Sequence, residues 1–309
     1  MSKYIAHASI DENGKAKGGT AGDSTKKEVC IRTWYDKGWD YVLRIINEKV
    51  RIQFANNMID IANNNNIGYD QNQRNTLLTQ AIKVDFNFAK ITVKCECDCS
   101  SMITIAYLAA VYKVLGKEEY ERQKAVLVVG GNCATTSTLK SRFTKLKVVE
   151  VLYSKIYVAG TSKAVFGDIY NKAGSHVVAY IDDGKKKTYR KPLAITGVWD
   201  SATTKRAQEV FGTTVDGKVS NQNIKYKKDN PGLTSCFEWE KTPGENGSSL
   251  IKAIQEFLNK TINAGLTVDG FIGPKTIKAM QKWLKTVVDG YISNPSSMVK
   301  AFQRWLNEQ

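Results

Sequence analysis

Cys95-Glu96-Cys97-Asp98-Cys99-Ser100-Ser101-Met102-Ile103-Thr104-Ile105-Ala106 passes from alternating cysteines straight into an apolar run. The spacing predicts a helix over 98–113, with Asp98 or Ser100 as the cap residue. Cys99 then stands at a helix start, where the partial positive charge of the N-terminus favours a thiolate. The chain holds only two histidines, His7 and His176. His176 leads a β-like run, His176-Val177-Val178-Ala179-Tyr180, shortly after Gly167-Asp168-Ile169-Tyr170. A thiol attacks an amide only with a base to take its proton, and a chain so poor in histidine has few ways to supply one.

Away from these two points the chain reads as helices first and strands afterwards. The first ~35 residues, rich in Gly, Lys, Asp and Thr, read as turns and irregular loop. Trp39, Val42, Leu43, Ile46, Val50, Phe54, Met58 and Ile61 recur at three- and four-residue spacing, which predicts one long amphipathic helix. It ends in Asn63-Asn64-Asn65-Asn66, and a shorter helix is predicted over 71–82. Beyond the Cys99 helix and a short helical stretch, residues 125–129, 147–153, 169–170 and 177–181 are β-like, and Asp182-Asp183-Gly184 predicts a hairpin turn. The order is α+β.

The texture changes near Lys191, and an internal repeat begins. Gly197–Asn221 aligns without gaps onto Gly270–Asn294 at an offset of 73, with 10 identities that include Gln208/Gln281, Asp216/Asp289 and Gly217/Gly290. A second echo relates 248–258 to 296–306. Each unit is an amphipathic helix closed by a tight Asp-Gly turn. Two domains follow from this, 1–190 and 191–309, the second an all-α module. Duplicated units ending in surface turns suit avid binding to a repetitive polymer, through the turns at Asp216-Gly217 and Asp289-Gly290. A plain helical bundle born of duplication is the bland alternative.

Composition bounds the remaining choices. The 309 residues carry 45 Lys and Arg against 30 Asp and Glu, a net charge of +15. Such a balance attracts nucleic acid or another polyanion, such as the anionic polymers of a Gram-positive cell wall. Zinc-finger spacing and an aromatic RNA-binding signature are both missing, so nucleic acid is not expected as a partner. Lys185–Lys187 and the lysines at 225, 227 and 228 read as solvated loops. No stretch reaches the ~20 apolar residues of a membrane span. The N-terminal residues lack the apolar centre of a secretory signal, so the protein is expected in the cytoplasm until something releases it. Six cysteines without such a signal are expected to be reduced. Cys95, Cys97 and Cys99 alternate, and in an extended segment their sulfurs face one side. Structural zinc favours pairs two to four residues apart, however, so Cys95 and Cys97 read as small buried residues and no metal or cofactor is expected.

These residues resemble a modular bacteriophage endolysin. Asp98-Cys99-Ser100-Ser101 is similar to the Asp-Cys-Ser-Gly nucleophile motif of the NlpC-type and CHAP-type peptidoglycan cysteine peptidases, and Gly167-Asp168-Ile169 with His176-Val177 to their Gly-Asp-(Ile/Leu) … His-Val strand. Val268-Asp269-Gly270-Phe271-Ile272-Gly273-Pro274-Lys275-Thr276 resembles helical peptidoglycan-binding repeats, and residues 17–34 also resemble endolysins of phages of Gram-positive hosts. The resemblance implies a papain-like catalytic domain, its nucleophile helix packed on an antiparallel sheet. It implies Cys99 as nucleophile, His176 as general base and then acid, and Asp98 and Ser100 as contacts to the stem peptide. The Cys99 N–H would help hold the oxyanion.

Two departures stand out. Ser101 replaces the usual Gly and is expected to crowd the helix start, and the group that orients the histidine is not at its usual place. Asp182 and His7 are the two alternatives for it. The expected activity is hydrolysis of an amide bond in the peptide part of Gram-positive peptidoglycan, released from the host cytoplasm to the wall. An N-acetylmuramoyl-L-alanine amidase of the same thiol mechanism is the alternative. From a different class, so is a basic, non-catalytic protein binding wall or nucleic acid.

Overall fold

Tyr4-Ile5-Ala6-His7-Ala8, inside the stretch expected to be loop, forms an inner strand of the main sheet. The structure, a computed structural model, describes residues 2–309. Two compact units divide the chain, the first ending at Tyr189 and the second spanning Arg190–Gln309.

The first unit mixes helix and sheet in α+β order. Its elements are β1 (Tyr4–Ala8), β2 (Val29–Thr33), β3 (Tyr41–Ile45), α1 (Glu48–Ala62), β4 (Ile67–Tyr69), α2 (Thr76–Lys83), β5 (Cys95–Cys97) and α3 (Cys99–Leu115). There follow α4 (Lys117–Leu127), the short hairpin β6 (Val128–Val129) and β7 (Asn132–Cys133), α5 (Leu139–Lys145), β8 (Val149–Leu152), α6 (Lys155–Val158), β9 (Ile169–Lys172) and β10 (His176–Tyr180). Six of the strands make one antiparallel sheet in the order β2-β1-β10-β9-β3-β8.

Strand alternation sorts the sheet into two faces. Ala6, Ala8, Leu43, Ile45, Ile169, Val177 and Ala179 join the core with α1 and α3. Ile5, Val42, Tyr170, Val178 and Tyr180 gather instead with Trp39 and Leu152. Helix α3 is buried on all sides from Cys99 to Val111, as a helix apolar all round must be. It begins at the predicted place, with Asp98 as its N-cap.

Several sequence expectations are corrected. The long helix from Trp39 is β3 followed by α1, because Asn47 intervenes and its side chain accepts from the Val50 N–H at 3.1 Å, starting a new helix. The three- and four-residue spacing of Trp39, Val42 and Leu43 fitted a helix by coincidence. Residues 125–127 end α4 and only Val128–Val129 is strand. The Asp182–Gly184 turn leads into no further strand of this unit among the described residues.

In the second unit stand α7 (Ser201–Phe211), β11 (Val219–Asn223), β12 (Phe237–Glu240), α8 (Ser249–Ile262), α9 (Pro274–Trp283) and α10 (Ser297–Asn307). β11 and β12 pair in parallel, so the unit is not all-α. Each helix supplies one buried glutamine, Gln208, Gln255, Gln281 or Gln303. Its carbonyl oxygen accepts from the N–H of Gly217, Gly270, Gly290 or Gly197, at 2.8, 2.8, 2.9 and 3.0 Å. Its amide donates to the carbonyl of Lys218, Phe271, Tyr291 or Val198 one residue on. The four glycines have φ between +78° and +85°, which a side chain would strain. The two echoes seen in the sequence are thus one device used four times. Because α10 clamps the turn before α7, the last repeat closes onto the first.

Candidate active site

Cys99 is the first residue of α3 and is 6% exposed. The N–H groups of Val177 and Ser100 point at its sulfur and favour the thiolate, but burial and then the Asp98 carboxylate act the other way, and the thiol is pushed up to about 12. The helix start therefore holds a protonated thiol at rest, against the expectation of a thiolate: desolvation outweighs the N-terminal partial charge.

His176 opens β10, one residue before the Val177 N–H that faces the Cys99 sulfur. Its Nε2 lies 3.0 Å from Nδ1 of His7 on the neighbouring strand β1. The other nitrogen of His7, Nε2, lies 3.6 Å from Sγ of Cys30 on β2. His7 and Cys30 are register partners, and by alternation His7 and His176 share the sheet face of Ile5, Val178 and Tyr180. Trp39 stacks on the His176 ring, with centroids 6.3 Å apart, and Tyr35 meets His7 edge-on. Burial, then the charges of Lys37 and Arg32, lowers His176 to about 4. Burial, then His176 and Arg32, lowers His7 to about 3. At neutral pH both imidazoles are uncharged, so one nitrogen of each is a donor and the other an acceptor.

Of the two orienting alternatives, the structure brings His7 to His176 and takes Asp182 away. Asp182 follows the far end of β10 in a positive-φ turn, where Lys3, Lys187 at 2.7 Å and the Tyr180 hydroxyl at 3.1 Å engage its carboxylate. Its carboxylate is thus engaged at the opposite end of the strand from His176.

Asp98 and Ser100 are buried and engaged in internal hydrogen bonds at the start of α3. Arg74 grips Asp98 through Nε at 2.6 Å and Nη2 at 3.1 Å, and Nη2 also reaches the Ser100 hydroxyl at 2.8 Å. The Ser100 hydroxyl and the Ser101 N–H both donate to Asp98 Oδ1. Ser101 does not crowd the helix start. Its hydroxyl accepts from the Asp98 N–H at 2.8 Å and completes a capping box. Arg74 further donates to the carbonyls of Cys133 and Ala134, both at 2.9 Å, tying the start of α3 to the end of β7.

Cys95 and Cys97 are buried on β5, the latter donating to the Gly68 carbonyl at 3.6 Å. In the second unit, Gly217 and Gly290 are buried inside their clamped turns, and Oδ1 of Asp216 and of Asp289 accepts from the Gln208 and Gln281 amides at 2.7 Å. These four residues hold the turns together; the two carboxylates remain at the surface.

Sequence reasoning missed Arg74 and Cys30. Nothing around Arg74 in Gln71-Asn72-Gln73-Arg74 marks it, since its partners lie 24 to 60 residues away. Cys30 carries a usable signal, the alternation of Val29-Cys30-Ile31-Arg32, inside a stretch whose composition resembles loop but which forms β2.

A family model described as an endolysin-like domain matches residues 5–187. No curated protein and no solved structure matches the chain.

Proposed function

The chain belongs to the endolysin-like domain family, and from that premise we propose that it is a lysin acting on bacterial cell-wall peptidoglycan, a cysteine peptidase of papain-like arrangement with Cys99, His176 and His7 as its reacting set. The reading is supported by one observation, the 3.0 Å contact that engages His176 Nε2 with His7 one residue from the Val177 N–H that faces the Cys99 sulfur.

The chemistry starts from two neutral groups. Nδ1 of His176 takes the Cys99 proton as the sulfur attacks the amide carbonyl and the S–C bond forms. Nε2–H of His176 donates to His7, which steadies the imidazolium. The Cys99 N–H, first in its helix and without an intrahelical acceptor, faces the oxyanion. The tetrahedral adduct collapses, the C–N bond breaks, and the amine leaves with the proton from His176. Water then hydrolyses the thioester by the same base. Burial first, and then the charges of Lys37 and Arg32, keep His176 in its neutral, proton-accepting form down to low pH.

The bond cut is an amide in the peptide part of Gram-positive peptidoglycan. Residues 190–309 hold the enzyme to the wall, aided by the +15 charge against anionic wall polymer. Cys99→Ala should abolish lysis of Gram-positive walls by several orders of magnitude and leave wall binding intact. Mass spectrometry of the digest should reveal a new amino terminus on a stem or cross-bridge peptide. A digest that instead frees the lactyl carboxyl of muramic acid makes the enzyme an amidase of the same mechanism, and full lysis by Cys99→Ala refutes the thiol mechanism.

A further inference from the structure

The proton order along the histidine pair needs a third group to set it. A neutral imidazole has one N–H, and the 3.0 Å contact between His176 and His7 can run in either direction. In one order His176 Nε2–H donates to His7 Nδ1, and His176 keeps a lone pair at Nδ1 with which to accept the thiol proton. In the other, His7 donates to His176, Nδ1 of His176 carries the hydrogen, and the base is blocked. The choice passes to the far nitrogen of His7. In the productive order that nitrogen is an N–H and needs an acceptor; in the blocked order it is a lone pair and needs a donor.

We propose that Cys30 is the positioning residue that selects the productive order, its Sγ accepting from Nε2–H of His7. Cys30 Sγ is 3.6 Å from that nitrogen and is its register partner across β1 and β2. His7 is 2% exposed, so water is a poor substitute on that side. A thiol is both a weak donor and a weak acceptor, but a buried N–H without an acceptor is the costlier group to leave unmet, and the Cys30 sulfur gives the His7 Nε2–H a lone pair. Burial raises the Cys30 thiol above its usual range, so the group stays neutral and adds no charge to the pair. The line His176, His7, Cys30 thus passes hydrogens in one direction, across the adjacent strands β10, β1 and β2. This inference rests on the reading of Cys99, His176 and His7 as the reacting set.

Two histidines in the whole protein make the test direct. The full chain labelled with ¹⁵N-histidine gives only two imidazole patterns, and each reports which nitrogen bears the hydrogen. Expected in the wild type at pH 7 is Nε2–H on both rings, unchanged in Cys99→Ala. Cys30→Val, of similar size but unable to accept, should shift both rings toward Nδ1–H and lower kcat about tenfold, the worth of one net hydrogen bond, with KM unchanged. Cys30→Ser should restore the wild-type pattern and most of the rate. Nδ1–H on His7 in the wild type overturns the proposal without any variant, as does a Cys30→Val protein with the wild-type ¹⁵N pattern. If the tautomers respond as described but Cys99→Ala still lyses walls, the reading of the reacting set fails while the role of Cys30 in ordering the pair stands.

Discussion

Replacing Arg74 by methionine removes a cation that holds the start of α3. The Arg74 and Asp98 side chains are only 12% and 10% exposed, so the substitution leaves a carboxylate buried without its partner. Breaking a buried pair from one side costs about 3–5 kcal/mol, a large part of the roughly 5–15 kcal/mol that keeps a domain folded. The same change strips a donor from the Ser100 hydroxyl and from the Cys133 and Ala134 carbonyls. In a unit of this size the loss should lower the melting temperature by about 10 °C. Calorimetry gives the shift, and hydrogen exchange of the α3 amides assigns it to the first unit. The double variant Arg74→Met/Asp98→Asn should recover part of the loss, because the stranded charge is gone. A shift below about 2 °C, or strict additivity of the two changes, would refute the argument.

The acid limb of kcat/KM should be centred near pH 4, the value to which burial and then Lys37 and Arg32 bring His176, and a midpoint near the ordinary 6.5 would contradict that burial. The same depression has a stability consequence: the unfolded imidazoles protonate below pH 6.5 while the folded ones resist, so stability present above 6.5 is lost as the pH falls toward 4, which urea unfolding at stepped pH measures. Gln281→Ala should cost the second unit about 2–3 kcal/mol, since it orphans the buried Gly290 N–H and loosens the Asp289 carboxylate. Lys282→Ala, exposed on the same helix, is the control and should stay within about 0.5 kcal/mol; equal losses in the two would deny the clamp.

Local order was legible where one chain segment contains its own physics. The start of α3 at Cys99 follows from Asp98 and the apolar run behind it, both within one helical turn. The relation between Gln208 and Gln281, and between the Asp-Gly turns they clamp, survives in the sequence because equal structural tasks at equal spacing leave equal residues. Cys99 stood out among six cysteines by its place at a helix start, and His176 by the rarity of histidine. Such signals need no knowledge of what lies across the fold.

Other features were decided only when distant strands met. His7 looked like a loop histidine until β1 was laid between β2 and β10, which set its two nitrogens against Cys30 and His176. Asp182 looked near to His176 in sequence, yet a strand carries residues away from each other at about 3.3 Å per position, and two lysines took its charge. Asp98 and Ser100 looked free until Arg74 arrived from α2's approach, and the thiolate expected at Cys99 gave way to a thiol because burial is a property of the whole unit. Sequence fixes which groups exist and the turn or helix each begins; partners, solvent exposure and therefore protonation belong to tertiary structure, because they depend on atoms tens to hundreds of residues away.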